Sequence, residues 1–255
     1  MVPIQNTRLN DRGVSEAIGF MLIFGIVITG IGLVTLYGYP LLLQQQVSAD
    51  EKIMEKNMIV LQNDIKSLAY KTVPFKETSL KIGGGSLTVY NSNNDLPKFT
   101  IKDAAGNLYA DSFHAGELRY ESVSAQTDIS LQNGAVVMRP RIGQGSTMLA
   151  DPRWFYDEKT QTLVINLVNI TSTNLMAKEG IGTVRMALGE TNYTYISPVS
   201  GNQVVVKYEG DYSVAWENYF TQTLGMDPEG TPDTYKLPLV NTLVIKKYEV
   251  QIKNI

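Results

Sequence analysis

From Ala17 to Leu43 the chain reads AIGFMLIFGIVITGIGLVTLYGYPLLL, apolar on every helical face, and no charge falls between Glu16 and Asp50. As an α-helix this stretch would run about 40 Å, against a hydrocarbon core of about 30 Å. Helices buried inside soluble proteins seldom pass ~20 residues without a polar face, so the pattern predicts a membrane-spanning segment. Pro40 should kink or locally open the helix. Beyond it the pattern changes. Met54, Met58, Leu61, Ile65 and Leu68 recur three or four residues apart, while Lys52, Glu55, Lys56, Asn63, Asp64 and Lys66 take the other side. The segment from Gln44 to Lys71 is thus predicted to continue the helix with a narrow apolar seam, fit for a partner helix or a sheet.

Val73-Pro74 closes the helix, and the apolar positions then fall into short runs between turn residues. Predicted strands cover 79–82, 86–91, 99–102, 117–122, 135–139, 162–170, 182–188, 193–197, 204–208 and 243–253. Asp103–Asn107 and Gly189–Asn192 read as hairpin links. Asp211 reads as the cap of one short helix carrying Val214, Trp216, Tyr219, Phe220 and Leu224, stopped by Gly225. The fold class is α+β: a long N-terminal transmembrane helix followed by an antiparallel β-rich, sandwich-like domain. The expected division is a leader over 1–13, the helix over 14–72 and the β-rich domain over 73–255.

Charge sets the orientation. Arg8 and Arg12 precede the apolar run and Asp50 and Glu51 follow it, so the positive-inside rule places the N-terminus in the cytoplasm and the β-rich domain outside. With 22 basic and 25 acidic residues among 255, there is no basic excess to draw in nucleic acid. The absence of cysteine excludes disulfides, thiolate metal sites and thiol catalysis.

Candidate chemistry is sparse. His114 is the only histidine, so a triad or metal site would rest on one imidazole, and a surface or packed histidine is the expectation. Gly83-Gly84-Gly85 lies between two predicted strands and lacks the helix N-terminus and Lys of a phosphate loop, so it reads as a turn or bulge. Asp227, Glu229 and Asp233 fit no EF-hand spacing and read as a solvated loop. No catalytic residue, metal site or cofactor is expected, and the chain reads as a non-enzyme. Asn169-Ile170-Thr171 and Asn192-Tyr193-Thr194 are glycosylation sequons, meaningful if the domain is exported.

The start of the chain carries a further signal. An ordinary secretory signal has a shorter apolar core followed by a small-x-small cleavage site, whereas here the core is longer and runs on into a helical segment. Instead Asp11-Arg12-Gly13 is followed by Val14-Ser15-Glu16-Ala17-Ile18-Gly19 and then the apolar run. This resembles the class III, prepilin-type signal of archaeal type IV pilins and archaellins. The resemblance implies cleavage by a prepilin peptidase between Gly13 and Val14, just after Arg12, with Val14 as the new N-terminus. It also implies that Glu16 is the early acidic residue of the mature helix, able to pair with a neighbouring subunit's amino group. Glu16 stands at the third mature position, where bacterial pilins have this residue at the fifth. Segments such as Leu80–Ser86, Gly116–Glu121 and Gly134–Val137 look like those of uncharacterised archaeal surface proteins with pilin-type N-termini.

The function so implied is that of a pilin-like structural or adhesive cell-surface subunit. Its partners would be membrane lipid, the peptidase and other pilin-like subunits. Two alternatives stay open: a monomeric anchored ectodomain that binds a ligand or partner, and an extracytoplasmic hydrolase. The last requires a pocket that gathers His114 or several carboxylates.

Overall fold

A computed structural model describes residues 11–71, 73–93, 97–143 and 145–255, with the side chains of 11–15 outside the description. The chain forms two compact units that divide between Ser48 and Ala49.

The N-terminal helix is α1 (Asp11–Leu33), a π-helical turn (Val34–Gly38) and α2 (Tyr39–Lys71). The π turn has a local cause. Pro40 has no N–H to donate to the carbonyl one turn back, and the wider turn resets the ladder, with the Tyr39 N–H reaching Val34 O. The opening expected at Pro40 is therefore present, immediately before the proline.

The strands are β1 (Phe75–Tyr90), β2 (Lys98–Asp103), β3 (Leu108–His114), β4 (Glu117–Ser122), β5 (Thr127–Gln132), β6 (Ala135–Pro140), β7 (Thr147–Ala150), β8 (Phe155–Asp157), β9 (Thr162–Ser172), β10 (Met176–Ile196), β11 (Gln203–Glu209), β12 (Asp227–Pro228), β13 (Thr234–Pro238) and β14 (Thr242–Asn254). Nine of them form one sheet in the order β7-β6-β5-β4-β1-β10-β14-β9-β8, and five form a second in the order β12-β13-β11-β2-β3. A short helix, α3 (Ser213–Asn218), follows β11. The expected long apolar helix and sandwich-like, mainly antiparallel domain are both present, and one pair, β9 with β14, runs parallel.

Period-2 alternation divides the nine-stranded sheet between two cores. On one face Leu80, Ile82, Val184, Met186, Val250 and Ile252 pack with Met54, Met58, Leu61, Ile65 and Leu68 of α2, the seam read from the sequence. On the other face Leu163, Ile165, Leu243 and Ile245 meet Phe99, Ile101, Val204, Val206 and Leu237 of the five-stranded sheet. An aromatic group closes this second core. Trp216 lies 4.8 Å from Phe99, 5.4 Å from Tyr208 and 5.6 Å from Phe220, centroid to centroid.

Gly83–Gly85 lies inside β1, at the register shift that interrupts its pairing with β10 between Ile82 and Leu87, where pairing with β4 on the other side begins. The triplet is a bulge, and its positions require glycine. Gly84 has a φ of +65°, and a Cβ on Gly85 would stand 2.2 Å from the Glu121 carbonyl oxygen.

Two local expectations fail. Gly189–Asn192 is not a hairpin link but part of β10, with a register shift between Leu188 and Thr191. Its turn-forming residues instead build a bulge against Glu249, whose carboxylate accepts from the Glu190 N–H at 3.4 Å. Asp211 does not cap α3, whose N-cap is Tyr212 without a side-chain bond; Asp211 is drawn to Arg119 and Arg139.

The link after β2 does form as a hairpin turn, held by Asp103. This buried carboxylate accepts from Tyr109 Oη at 2.6 Å, Asn107 Nδ2 at 2.7 Å and the Asn107 N–H at 2.9 Å. Burial alone would raise its pKa, but these bonds outweigh burial and hold the carboxyl down at about 2. An unfolded Asp titrates near ~4, so the stabilisation from ionised Asp103 is complete above about pH 4 and is lost as pH falls from there towards about 2. Asp103→Asn should be less stable than the parent at pH 7, and the gap between them should narrow through that window. Urea titrations at several pH values measure it, and a pH-independent gap would refute this role.

Candidate anchoring helix and charged cluster

Every large apolar side chain from Ile18 to Leu43 is exposed, among them Phe20 at 70% and Tyr37 at 73%. Among the described residues one helix, Glu16–Lys71, is long and apolar enough to cross a membrane, with a most apolar 18-residue window of mean hydropathy 2.5 and no part of that window buried. Burying one such side chain yields about 1.5–3 kcal/mol, so leaving this whole surface in water would cost more than a domain's net stability of about 5–15 kcal/mol.

The two threonine hydroxyls in the run are satisfied internally. Thr29 Oγ1 donates to Gly25 O at 2.8 Å and Thr35 Oγ1 to Ile31 O at 2.9 Å, as a hydroxyl facing hydrocarbon requires. Gly19, Gly25, Gly30 and Gly32 have open space where a Cβ would stand. The chain's own packing does not demand glycine there, whereas close approach of a second helix would.

Of the leader and processing residues, Arg8 lies outside the described residues. Arg12, Gly13 and Val14 fall in the helical backbone of α1, with side chains outside the description. Glu16 is exposed at the start of the apolar run. The two sequons differ in setting. Asn169, on β9, is half-buried and its Oδ1 is enclosed without a hydrogen-bond partner among the described residues, whereas Asn192, on β10, is exposed.

Within the second unit, α2 is fixed to the sheet by polar bonds as well as by its seam. Buried Gln62 donates from Nε2 to Gly134 O at 2.7 Å and Asp151 O at 2.9 Å. Asn57 donates to Lys81 O at 3.2 Å, Thr78 donates to Asp64, and Lys76 and Lys81 pair with Asp64 and Asp50.

A charged cluster joins β4, β5 and β6 to the segment before α3. Glu117, 2% exposed, accepts from Arg119 and from Ser130 Oγ. Asp211 bridges Arg119 at 3.2 Å and Arg139 at 3.0 Å, and Asp128 holds Arg139 at 3.3 Å and Arg141 at 2.6 Å. Burial pushes the Glu117 carboxyl up, against the opposing pull of Arg119. A cavity of about 280 Å³ beside the cluster is lined by Arg139, Arg141 and Asp211. Asp211, the carboxylate among its described lining residues, is engaged by two guanidinium groups, an arrangement that ties the segment before α3 to the sheet.

His114 ends β3, with Nδ1 3.0 Å from Ser92 O, apart from this cluster. Among the described residues no group of three or more His, Asp or Glu stands close enough to hold a metal ion. The sequence reading missed Gln62 and the Glu117–Arg119 pair. The second carried a signal, since opposite charges two apart on a strand share a face.

The model of a family of unknown function, DUF7289, matches residues 12–252. The chain belongs to this family. The match takes in both the apolar helix and the β-rich domain. No curated protein and no solved structure matches it.

Proposed function

We propose that this DUF7289 protein is a pilin-like structural or adhesive subunit of the cell surface, held in the membrane by its N-terminal helix with the β-rich domain outside. The observation that carries the reading is the helix apolar on every face from Ala17 to Leu43, with none of its most apolar window buried. Such a surface needs lipid or neighbouring helices. The glycines with open space at their Cα atoms suit the second, and the sequence around Gly13 and Val14 suits processing by a prepilin peptidase. Glu16 then lies at the edge of the apolar bundle, where an unpaired charge is costly and a neighbour's amino group would relieve it.

The alternative is a monomeric anchored ectodomain that binds a ligand or partner at the cell surface. One experiment separates the two. The chain has no cysteine, so a single Gly30→Cys replacement reports helix proximity without background. Mature subunits beginning at Val14 by mass spectrometry, and disulfide-linked dimers of Gly30→Cys in native membranes, are expected. An intact leader together with monomers only would replace the subunit reading with the ectodomain.

A further inference from the structure

Three cavities of about 600, 360 and 440 Å³ follow one another around the C-terminal end of α2. The first two share Tyr70 and Arg153, and the last two share Ala69, Lys246 and Tyr248, so together they form one groove. It lies wholly within the second compact unit, on the part of the sheet face that α2 does not reach.

The chemistry of its walls is one-sided. Lys66, Lys71, Arg153 and Lys246 line it, and no Asp or Glu is among the described lining residues, although the chain carries a net charge of −3. Lys66 bonds Gln62 Oε1 at 3.0 Å, and Arg153 lies 4.6 Å over the Tyr70 ring. Burial lowers the Lys66 pKa; Asp151 nearby opposes the shift and Arg153 adds to it.

The remaining lining is of two kinds. Tyr193 and Phe155 present ring surface to solvent, 64% and 48% exposed, and flank the Tyr70–Tyr248 edge-to-face pair at 5.4 Å. Asn63 and Asn192 add exposed side-chain amides to the lining, whereas Asn166 is buried and donates its Nδ2 to Arg153 O.

We propose that this groove binds an acidic polysaccharide, a polymer of hydroxylated sugars bearing carboxylates. Cations without lining carboxylates call for anionic groups along the ligand. Amides, which donate and accept at once, match hydroxyls, which do the same. Open aromatic faces match the apolar ring faces of sugars and bury area at little entropic cost. An acidic peptide would satisfy the cations alone. The inference goes beyond the anchoring role and holds whether subunits assemble or stand singly.

The test uses the full-length protein in detergent micelles, with polygalacturonate, dextran and poly-L-glutamate immobilised for interferometry. Binding to polygalacturonate that weakens with added salt is expected, with dextran and poly-L-glutamate at least tenfold weaker. Arg153→Gln combined with Lys246→Gln should weaken binding by tenfold or more. Tyr193→Ala, at an exposed ring, should weaken it severalfold with the thermal midpoint unchanged, which excludes misfolding as the cause. Lys207→Gln, on the five-stranded sheet, should bind as the parent does. Equal or tighter binding to poly-L-glutamate would assign the groove to an acidic protein segment and overturn the proposal. So would absent binding to polygalacturonate, equal binding to dextran, or indifference to the Arg153 and Lys246 replacements. A protein that fails these tests yet still sediments with membranes would leave the anchoring role standing.

Discussion

Trp216→Ala is expected to destabilise the β-rich domain by about 3–5 kcal/mol, the cost of removing a large buried aromatic from a core that cannot fully collapse. Trp216 is completely buried, and its ring touches Phe99, Tyr208, Tyr219 and Phe220 within a group that also holds Trp154 and Tyr235. The same ring locks α3 against Phe99 and Tyr208 of the five-stranded sheet, so its loss loosens an element as well as opening a void. For a domain of this size the change corresponds to a fall of roughly 10 °C or more in melting temperature. Trp216→Phe should be much milder. The indole Nε1 has no hydrogen-bond partner among the described residues, and phenylalanine removes that buried donor while keeping most of the contact. Calorimetry of the two variants checks the pair, and equal losses would show that the packing argument is wrong.

Deleting residues 1–48 is expected to move the protein almost completely from the membrane pellet to the soluble fraction while leaving the β-rich domain folded. The deletion removes the exposed apolar run and ends where the two compact units divide. What remains of α2 keeps its buried seam, from Met54 to Leu68, and the Gln62 bonds that fix it to the sheet. Sedimentation together with circular dichroism reads both halves of the expectation. A truncated chain that still pellets while folded would place the membrane attachment elsewhere and end the anchoring reading.

The helix was legible in the sequence because both of its signals are long: an uninterrupted apolar run, and then a seam repeated over several turns. Strands that alternate, such as β4, β9 and β14, were legible for the same reason. β5 was not. All six residues of Thr-Asp-Ile-Ser-Leu-Gln are buried, so its polar side chains, which normally mark exposure, are enclosed beside the charged cluster. β3, at the edge of the five-stranded sheet, carries Leu108, Tyr109 and Ala110 in succession and then Phe113, a pattern without the alternation that marks a strand. At Gly189–Asn192 the residues that favour a turn equally favour a bulge, and only the partner strand decides between them. The basic groove is assembled from the end of α2, the segment before β8, and the strands β9, β10 and β14. No local motif announces it, because its parts lie far apart in the chain.

The place of β14 has a consequence for how such a protein is made. It follows every other strand in the chain, yet it sits inside the nine-stranded sheet, between β10 and β9. Until Thr242–Asn254 has emerged from the ribosome, that sheet remains in two halves and both cores are incomplete. Neither core can close before β14 joins the sheet, so folding of this domain depends on contacts between segments far apart in the chain and is expected to be slow and cooperative.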